Sequence, residues 1–294
     1  MCVTDIGLRN LVSLSLKQLK LVLNGCINIT DSAMQIFTGI PLIKLELNLC
    51  TTFTGSQIDS LPSTLQSLYL GDCTAITDTD YSSLVSLTLL HLNGCPLITN
   101  ITLCSLWNCP LVDLSVSECV LISDVGLQLL TTGKCMNTLE SLNVSGCVGI
   151  TDTGVGFMGR FPLKKVFISG CNQISNNGIW QLRHLSLESL DVSKCSQLTH
   201  VSLSHLYENS RMHLSHLDVS QCDWVNNEAI LIICELQPRN LFLYGCIQFD
   251  WVGVGIMCLL LKQCSTIGLS DCTQLSQSQL DRLRTDLPDT TIVL

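Results

Sequence analysis

The chain has 294 residues, of which 47% are hydrophobic, 13% charged and 5% aromatic. That apolar content excludes a disordered polar chain, and so low a charged fraction leaves Ser, Thr and Asn to cover the exposed faces. The formal net charge is −9, from 15 Lys+Arg and 24 Asp+Glu, which excludes the basic stripe that nucleic-acid binding needs. No Lys or Arg stands between Lys44 and Lys134, a window holding Glu46, Asp59, Asp72, Asp78, Asp80, Asp113, Glu118 and Asp124. Such a surface repels phosphate and anionic membranes, so neither nucleic acid nor membrane is expected as a partner.

At the N-terminus, Met1-Cys2-Val3-Thr4-Asp5 has neither the basic nor the apolar region of a signal peptide. The longest apolar stretch, 252–261, contains two glycines and is too short to span a bilayer. Eighteen cysteines without a leader read as free thiols in a reducing compartment, cytoplasmic or also nuclear. The Asn-x-Ser/Thr matches at Asn28, Asn100 and Asn143 read as by-products of a repeat. Val3 to Leu11 has the pattern of the second half of that repeat, whose cysteine would precede Met1. Residues 1–17 are therefore expected to be a partial first repeat, with an upstream segment or a partner covering its apolar edge.

Eleven cysteines then recur, at 26, 50, 73, 95, 119, 147, 171, 195, 222, 246 and 272, with a mean period of 24.6 residues. Other columns keep the same phase. Three and five residues before each cysteine stand apolar residues such as Leu68 and Leu70, or Leu142 and Val144. Their period of two is that of a short strand with one buried face. After the cysteine comes Ile-Thr-Asp or a relative, as in Ile76-Thr77-Asp78. The Thr or Ser is a helix cap, and the Asp suits the positive helix N-terminus. Apolar residues eight and eleven past the cysteine share a helical face. Gly7, Gly126, Gly154, Gly178 and Gly253 fall seven past the cysteine phase and read as sites of close helix packing. Pro41, Pro110 and Pro162, nine before a cysteine, mark the beginning of strands.

Each unit is thus predicted to be strand, turn, helix, with parallel strands ~4.8 Å apart and helices ~10 Å thick. Those two lengths demand curvature: an α/β solenoid over residues 1–294, a horseshoe of about eleven full repeats with a concave sheet and convex helices. Pro288 has the strand-start phase, placing Ile292 and Leu294 on the buried columns. Residues 285–294 are expected to be a capping strand, flanked by polar Arg282, Arg284, Asp286 and Asp289.

The stretch Leu139-x-x-Leu142-x-Val144-x-x-Cys147-x-x-Ile150-Thr151-Asp152-x-Gly154-Val155 resembles the cysteine-containing leucine-rich repeat. The resemblance covers residues 3–294. It implies the substrate-binding arm of F-box/leucine-rich-repeat proteins, receptors of SCF-type cullin–RING ubiquitin ligases. An adaptor contact would require an F-box upstream of these repeats. A second branch that it resembles, stand-alone arrays such as antagonist-of-mitotic-exit-network proteins, implies an adaptor without a ligase link. Both imply binding rather than catalysis. Plant hormone receptors of the same class carry a basic inositol-phosphate pocket, for which the strand faces here offer only Lys20, Lys44 and Lys165.

Catalytic, cofactor and metal sites are not expected. Cys2, Cys104, Cys109, Cys135, Cys234, Cys258 and Cys264 lie off the repeat column in no zinc spacing, and read as helix-packing or loop thiols. The repeat cysteines read as small buried hydrophobes with a weak donor. His200 and His205 are five apart, not the i, i+4 pair of a helical metal site, and His213 and His216 flank a strand. Val252-Gly253-Val254-Gly255 lacks the third Gly and the Lys of a phosphate loop. Asp191 and Asp218 occupy one column on adjacent strands, the closeness of an acid/base pair. On an open sheet they read instead as a solvated acidic patch.

Binding is expected where strand side chains between the buried leucines face outward. Tyr69, Leu89 and His91 form one apolar-aromatic cluster, and Phe242 and Tyr244, near His216 and Asp218, form another. Lys20 and Lys44 are read as a small basic spot. With Asp113, Asn143, Phe167 and Asp191 these clusters make up the candidate partner surface, since aromatics ringed by polar groups are typical of binding hot spots. The partner expected is a protein, gripped through an extended segment carrying basic residues.

Overall fold

The computed structural model describes residues 3–10, 18–207 and 214–294. Cys2, the 11–17 portion of the partial first repeat and His213 lie outside the described residues. The chain divides into two compact units, Met1–Gly149 with Arg160–Pro162, and Ile150–Gly159 with Leu163–Leu294.

The first unit carries strands β1 (Leu19–Val22), β2 (Leu42–Glu46), β3 (Ser67–Tyr69), β4 (Leu89–His91), β5 (Asp113–Ser115) and β6 (Ser141–Asn143). Each pairs in parallel with the next. Its helices are α1 (Asp5–Leu8), α2 (Ser32–Phe37), α3 (Asn100–Ser105) and α4 (Asp124–Leu130). The second unit carries β7 (Lys165–Phe167), β8 (Ser189–Asp191), β9 (His216–Asp218), β10 (Asn240–Phe242), β11 (Thr266–Gly268) and β12 (Thr291–Val293), again parallel and in sequence order. Between them run α5 (Asp152–Met158), α6 (Asn176–Gln181), α7 (His200–Tyr207), α8 (Asn227–Leu236), α9 (Trp251–Leu260) and α10 (Gln277–Asp286). The alternation of strand and helix predicted from the columns is therefore the architecture of each unit, and β12 is the strand expected near Ile292, but with no repeat after it Ile292 is only half-buried and Leu294 is exposed. Central strand residues such as Leu68, Leu90, Leu114 and Leu217 are fully buried, as the period-two pattern requires.

The prediction of a helix in every repeat fails twice. After Cys50 there is only a 3-10 turn, Ile58–Ser60, and after Cys73 only turns. These repeats span 23 and 22 residues between cysteines, the shortest in the chain, and leave too little chain for α-helical turns. Phe53 and Tyr81, both fully buried, fill the space instead.

Three lateral ladders join the repeats. First, repeat thiols donate to carbonyls of the preceding repeat: Cys73 to Leu47 at 3.1 Å, Cys95 to Leu70 at 3.2 Å, Cys222 to Val192 at 3.3 Å and Cys272 to Leu243 at 3.1 Å. A thiol satisfies that buried acceptor at little desolvation cost. Second, the residue before each of the eleven cysteines is left-handed, whether Gly25, Gly94 and Gly245 or Leu49, Glu118 and Lys194. That turn points its N–H at the next repeat, as in Leu49 to the Gly71 carbonyl at 2.8 Å and Lys194 to the Ser220 carbonyl at 2.9 Å.

The third ladder corrects the assignment of the Asp after the cap residue. Its side chain reaches the next repeat's cap rather than remaining at its own helix terminus. Asp31 accepts from the Thr54 hydroxyl at 2.6 Å, and Asp152 accepts from the Ser175 N–H at 2.7 Å and hydroxyl at 2.6 Å. Asn100 and Asn176 make the amide version with Ser123 and Thr199. The caps themselves are as predicted: Thr99, Thr151 and Ser175 each accept from a helix N–H. This clamp also explains the recurrent glycines. A Cβ at Gly126 would lie 2.6 Å from Asn100 Oδ1, and one at Gly178 would lie 2.5 Å from Asp152 Oδ1. At Gly7 nothing lies within 4 Å of that position, so close packing does not account for that glycine.

Candidate binding surface on the strand rows

Parallel register turns each outward-facing column into a row across the sheet. In the first unit Glu46, Tyr69, His91, Ser115 and Asn143 are successive Cα partners, beside the row Lys44, Ser67, Leu89, Asp113 and Ser141. The side chains link across both rows. Asn24 Nδ2 donates to Glu46 at 2.9 Å, and Lys44 Nζ pairs with Glu46 at 2.7 Å. Lys44 Nζ also stands 4.8 Å from the centre of the Tyr69 ring. Tyr69 packs edge-on against His91 with centroids 5.0 Å apart, and His91 Nε2 is 3.5 Å from Asp113 Oδ2. Four strands, β2 to β5, and Asn24 in the turn after β1 thus share one polar-aromatic ladder.

The structure brings the predicted Tyr69, His91 and Asp113 together, with Leu89 in register beside Asp113. Asn143 turns to its own strand end, where Oδ1 accepts the Ser145 N–H at 2.9 Å. Lys44 does not form the expected basic spot with Lys20, because Glu46 neutralises it. The Glu46 pairing holds the ammonium above its ordinary range, and the Lys44 hydrogen bond, followed by that of Asn24, holds the carboxylate below its own. Glu46 and Asn24 were missed by the sequence reading; the signal for Glu46 was its i+2 spacing from Lys44, which puts both on one strand face.

In the second unit the row runs Phe167, Asp191, Asp218, Phe242, Gly268. Two adjacent carboxylates are therefore flanked by two aromatic rings, with strands ~4.8 Å apart. Phe242 and Tyr244 pack with centroids 5.6 Å apart, and the Tyr244 ring covers Gly268, where a Cβ would lie 2.5 Å from it. Gly268 thus lets the tyrosine lie flat. His216 pairs with Asn240 at 3.2 Å, which widens the site to a residue the sequence reading did not single out.

Asp191 and Asp218 also end their strands. Oδ1 of each accepts the N–H two residues on, from Ser193 and Ser220, both at 2.9 Å. Burial pushes the Asp218 carboxyl above its ordinary range; the Ser220 hydrogen bonds oppose that, and the charge of Asp191 adds to it. A basic group placed on this row would remove that repulsion.

The buried thiols are poor nucleophiles. Burial pushes Cys73, Cys109, Cys195, Cys222, Cys234 and Cys246 up to about 12, the opposite of what a nucleophile needs. Among the described residues no three His, Cys, Asp or Glu side chains converge as a metal site, and no helix is long and apolar enough to cross a membrane.

The family model for the Leucine Rich repeat matches residues 135–158, the stretch containing Leu139, Leu142, Val144 and Cys147. The crystal structure of the yeast Rad7–Elc1 complex contains a chain that is 19% identical, with a TM-score of 0.72. The match covers 99% of this chain and 78% of that one. The chain is an α/β leucine-rich-repeat solenoid. A chain of the TLR13–ssRNA13 complex is 18% identical with a TM-score of 0.56, covering 90% of this chain and 37% of that one. The repeat array therefore spans little more than a third of that longer chain. A comparison with curated protein sequences finds no match.

Proposed function

We propose that this solenoid is a protein-binding array: the substrate-recognition region of an SCF-type F-box/leucine-rich-repeat ubiquitin ligase receptor, acting in ubiquitin-dependent degradation. The observation that carries the binding reading is the row Phe167, Asp191, Asp218, Phe242 with Tyr244 beside it. Aromatic faces next to carboxylates suit a Lys or Arg side chain, and an open row of parallel strands suits an extended segment laid across it. The ligase reading is supported by the cysteine-repeat pattern and by the likeness to a chain crystallised with the partner Elc1.

Two measurements test these parts separately. Replacing Asp191 and Asp218 by Lys should weaken partner binding at least tenfold and invert its salt dependence; unchanged affinity removes the acidic row from the site. Capture of the protein from cells through a C-terminal tag, read together with its intact mass, should recover an F-box adaptor and a cullin. Capture of a row-dependent partner without them would leave a stand-alone adaptor array.

A further inference from the structure

A second surface lies away from the strand rows, along the turns between strand and helix in the first unit. Six apolar side chains crowd there over three consecutive repeats. Leu97, Val120, Leu121 and Val148 come from the turns just past Cys95, Cys119 and Cys147 and are 48%, 48%, 51% and 53% exposed. Ile101 and Val125 occupy the second position of α3 and α4 and are 65% and 54% exposed. The repeats are tied side by side at this level by the Asn100–Ser123 clamp at 2.9 Å, so equivalent residues adjoin. Together they expose on the order of 500 Å² of apolar surface, within the range of the largest, commonly functional, patches on monomers. Elsewhere in this unit the turns hold only single exposed apolar side chains, Ile27 and Leu49, beside polar Asn28 and Thr52. Each leaves about half or more of its surface in solvent, and that exposed half adds nothing to the fold.

The rim of this patch is acidic. Glu118 is left-handed and places its carboxylate against Gly146, where a Cβ would lie 2.7 Å from it. Asp72 places its own against Gly94 in the same way. No Lys or Arg occurs from residue 45 to 133. A second copy would set these carboxylates against each other, and an anionic bilayer would be repelled.

We propose that this edge docks a protein segment whose apolar side chains are flanked by Lys or Arg, as a basic amphipathic helix presents them. The site is separate from the strand rows, so the array holds two partners, or two parts of one, at once.

The probe is a labelled synthetic helix with Leu at i, i+3, i+4 and i+7 and Lys elsewhere, titrated against the whole chain by fluorescence anisotropy. The Leu121→Ser, Val125→Thr double variant should weaken binding about tenfold, and the Asp72→Asn, Glu118→Gln variant should flatten its salt dependence. An Asp191→Asn, Asp218→Asn variant should bind as wild type, and a Leu/Glu peptide should not bind. Equal affinity of wild type and the Leu121, Val125 variant would overturn the proposal, and so would loss confined to the Asp191, Asp218 variant, which instead favours the strand rows. A dimer that dissociates on Leu121→Ser, or binding to anionic phosphatidylserine vesicles, would overturn it in favour of those occupants. The exposed positions tolerate substitution, and circular dichroism of each variant checks the fold.

Discussion

Removing the Asp78 carboxylate tests the idea that repeats are held together through the cap residues. Oδ1 accepts from the Thr99 N–H at 2.8 Å, the Thr102 N–H at 3.2 Å and the Thr102 hydroxyl at 2.6 Å, and Oδ2 accepts from the Thr99 hydroxyl at 2.7 Å. Thr102 is fully buried, so in Asp78→Ala its hydroxyl loses a partner that water cannot replace. Hydrogen bonds to a charged group are worth about 1.5–3 kcal/mol each and are not additive. A local loss of about 3 kcal/mol is expected. Amide exchange across 99–105 should accelerate by about two orders of magnitude, since each tenfold corresponds to about 1.4 kcal/mol. Asp78→Asn should lose much less, because Asn100 and Asn176 already make the amide form of this clamp.

The variants also differ in acid. Burial raises the Asp78 carboxyl, but the Thr102 and Thr99 donors outweigh it and hold the group below the ordinary aspartate value of 3.8. A lowered folded value means full stabilisation above pH 3.8, lost as pH falls through the folded value. Wild type should therefore show this acid loss of protection and Asp78→Asn should lack it. Equal exchange in Asp78→Ala and wild type would refute the clamp as a source of stability.

Further outcomes follow from the same geometry. Gly178→Ala should destabilise by about 1–3 kcal/mol through the clash with Asp152. Gly255→Ala, where nothing lies within 4 Å, should stabilise α9 by about 0.4–1 kcal/mol, both read from urea unfolding midpoints. Asp218→Asn keeps the acceptor for Ser220 and removes a carboxylate whose ionised form the fold disfavours. It should raise stability at neutral pH while weakening partner binding, a split readable by thermal unfolding and titration. With folded thiol values of about 12 for Cys73, Cys195 and Cys222, against an ordinary value of 9.0, their stabilisation is complete below about pH 9. It should be lost as pH rises from there toward 12; alkylation at pH 8 should favour the exposed Cys104 over these buried thiols.

The sequence by itself determined the repeat unit, because burying one face of a strand and one face of a helix every 24 or so residues forces apolar residues into fixed columns. Leu68, Leu90, Cys95 and Leu106 are legible from spacing alone for that reason. So was the pairing of Tyr69 with His91, since parallel strands in order place one column in one row. The beginning of that row was less legible: Glu46 neutralises Lys44 of the neighbouring row because the two side chains share a strand face. Partners more than twenty residues apart were decided by tertiary structure alone. The reach of Asp78 to Thr99 and Thr102, the thiol of Cys95 on the Leu70 carbonyl, and the left-handed turn at Leu49 all depend on how one repeat is offset against the next. Loss of the helix after Cys73 follows instead from a repeat only 22 residues long. Apolar columns record what must be buried, whereas polar groups and chain length are matched only after the repeats have stacked.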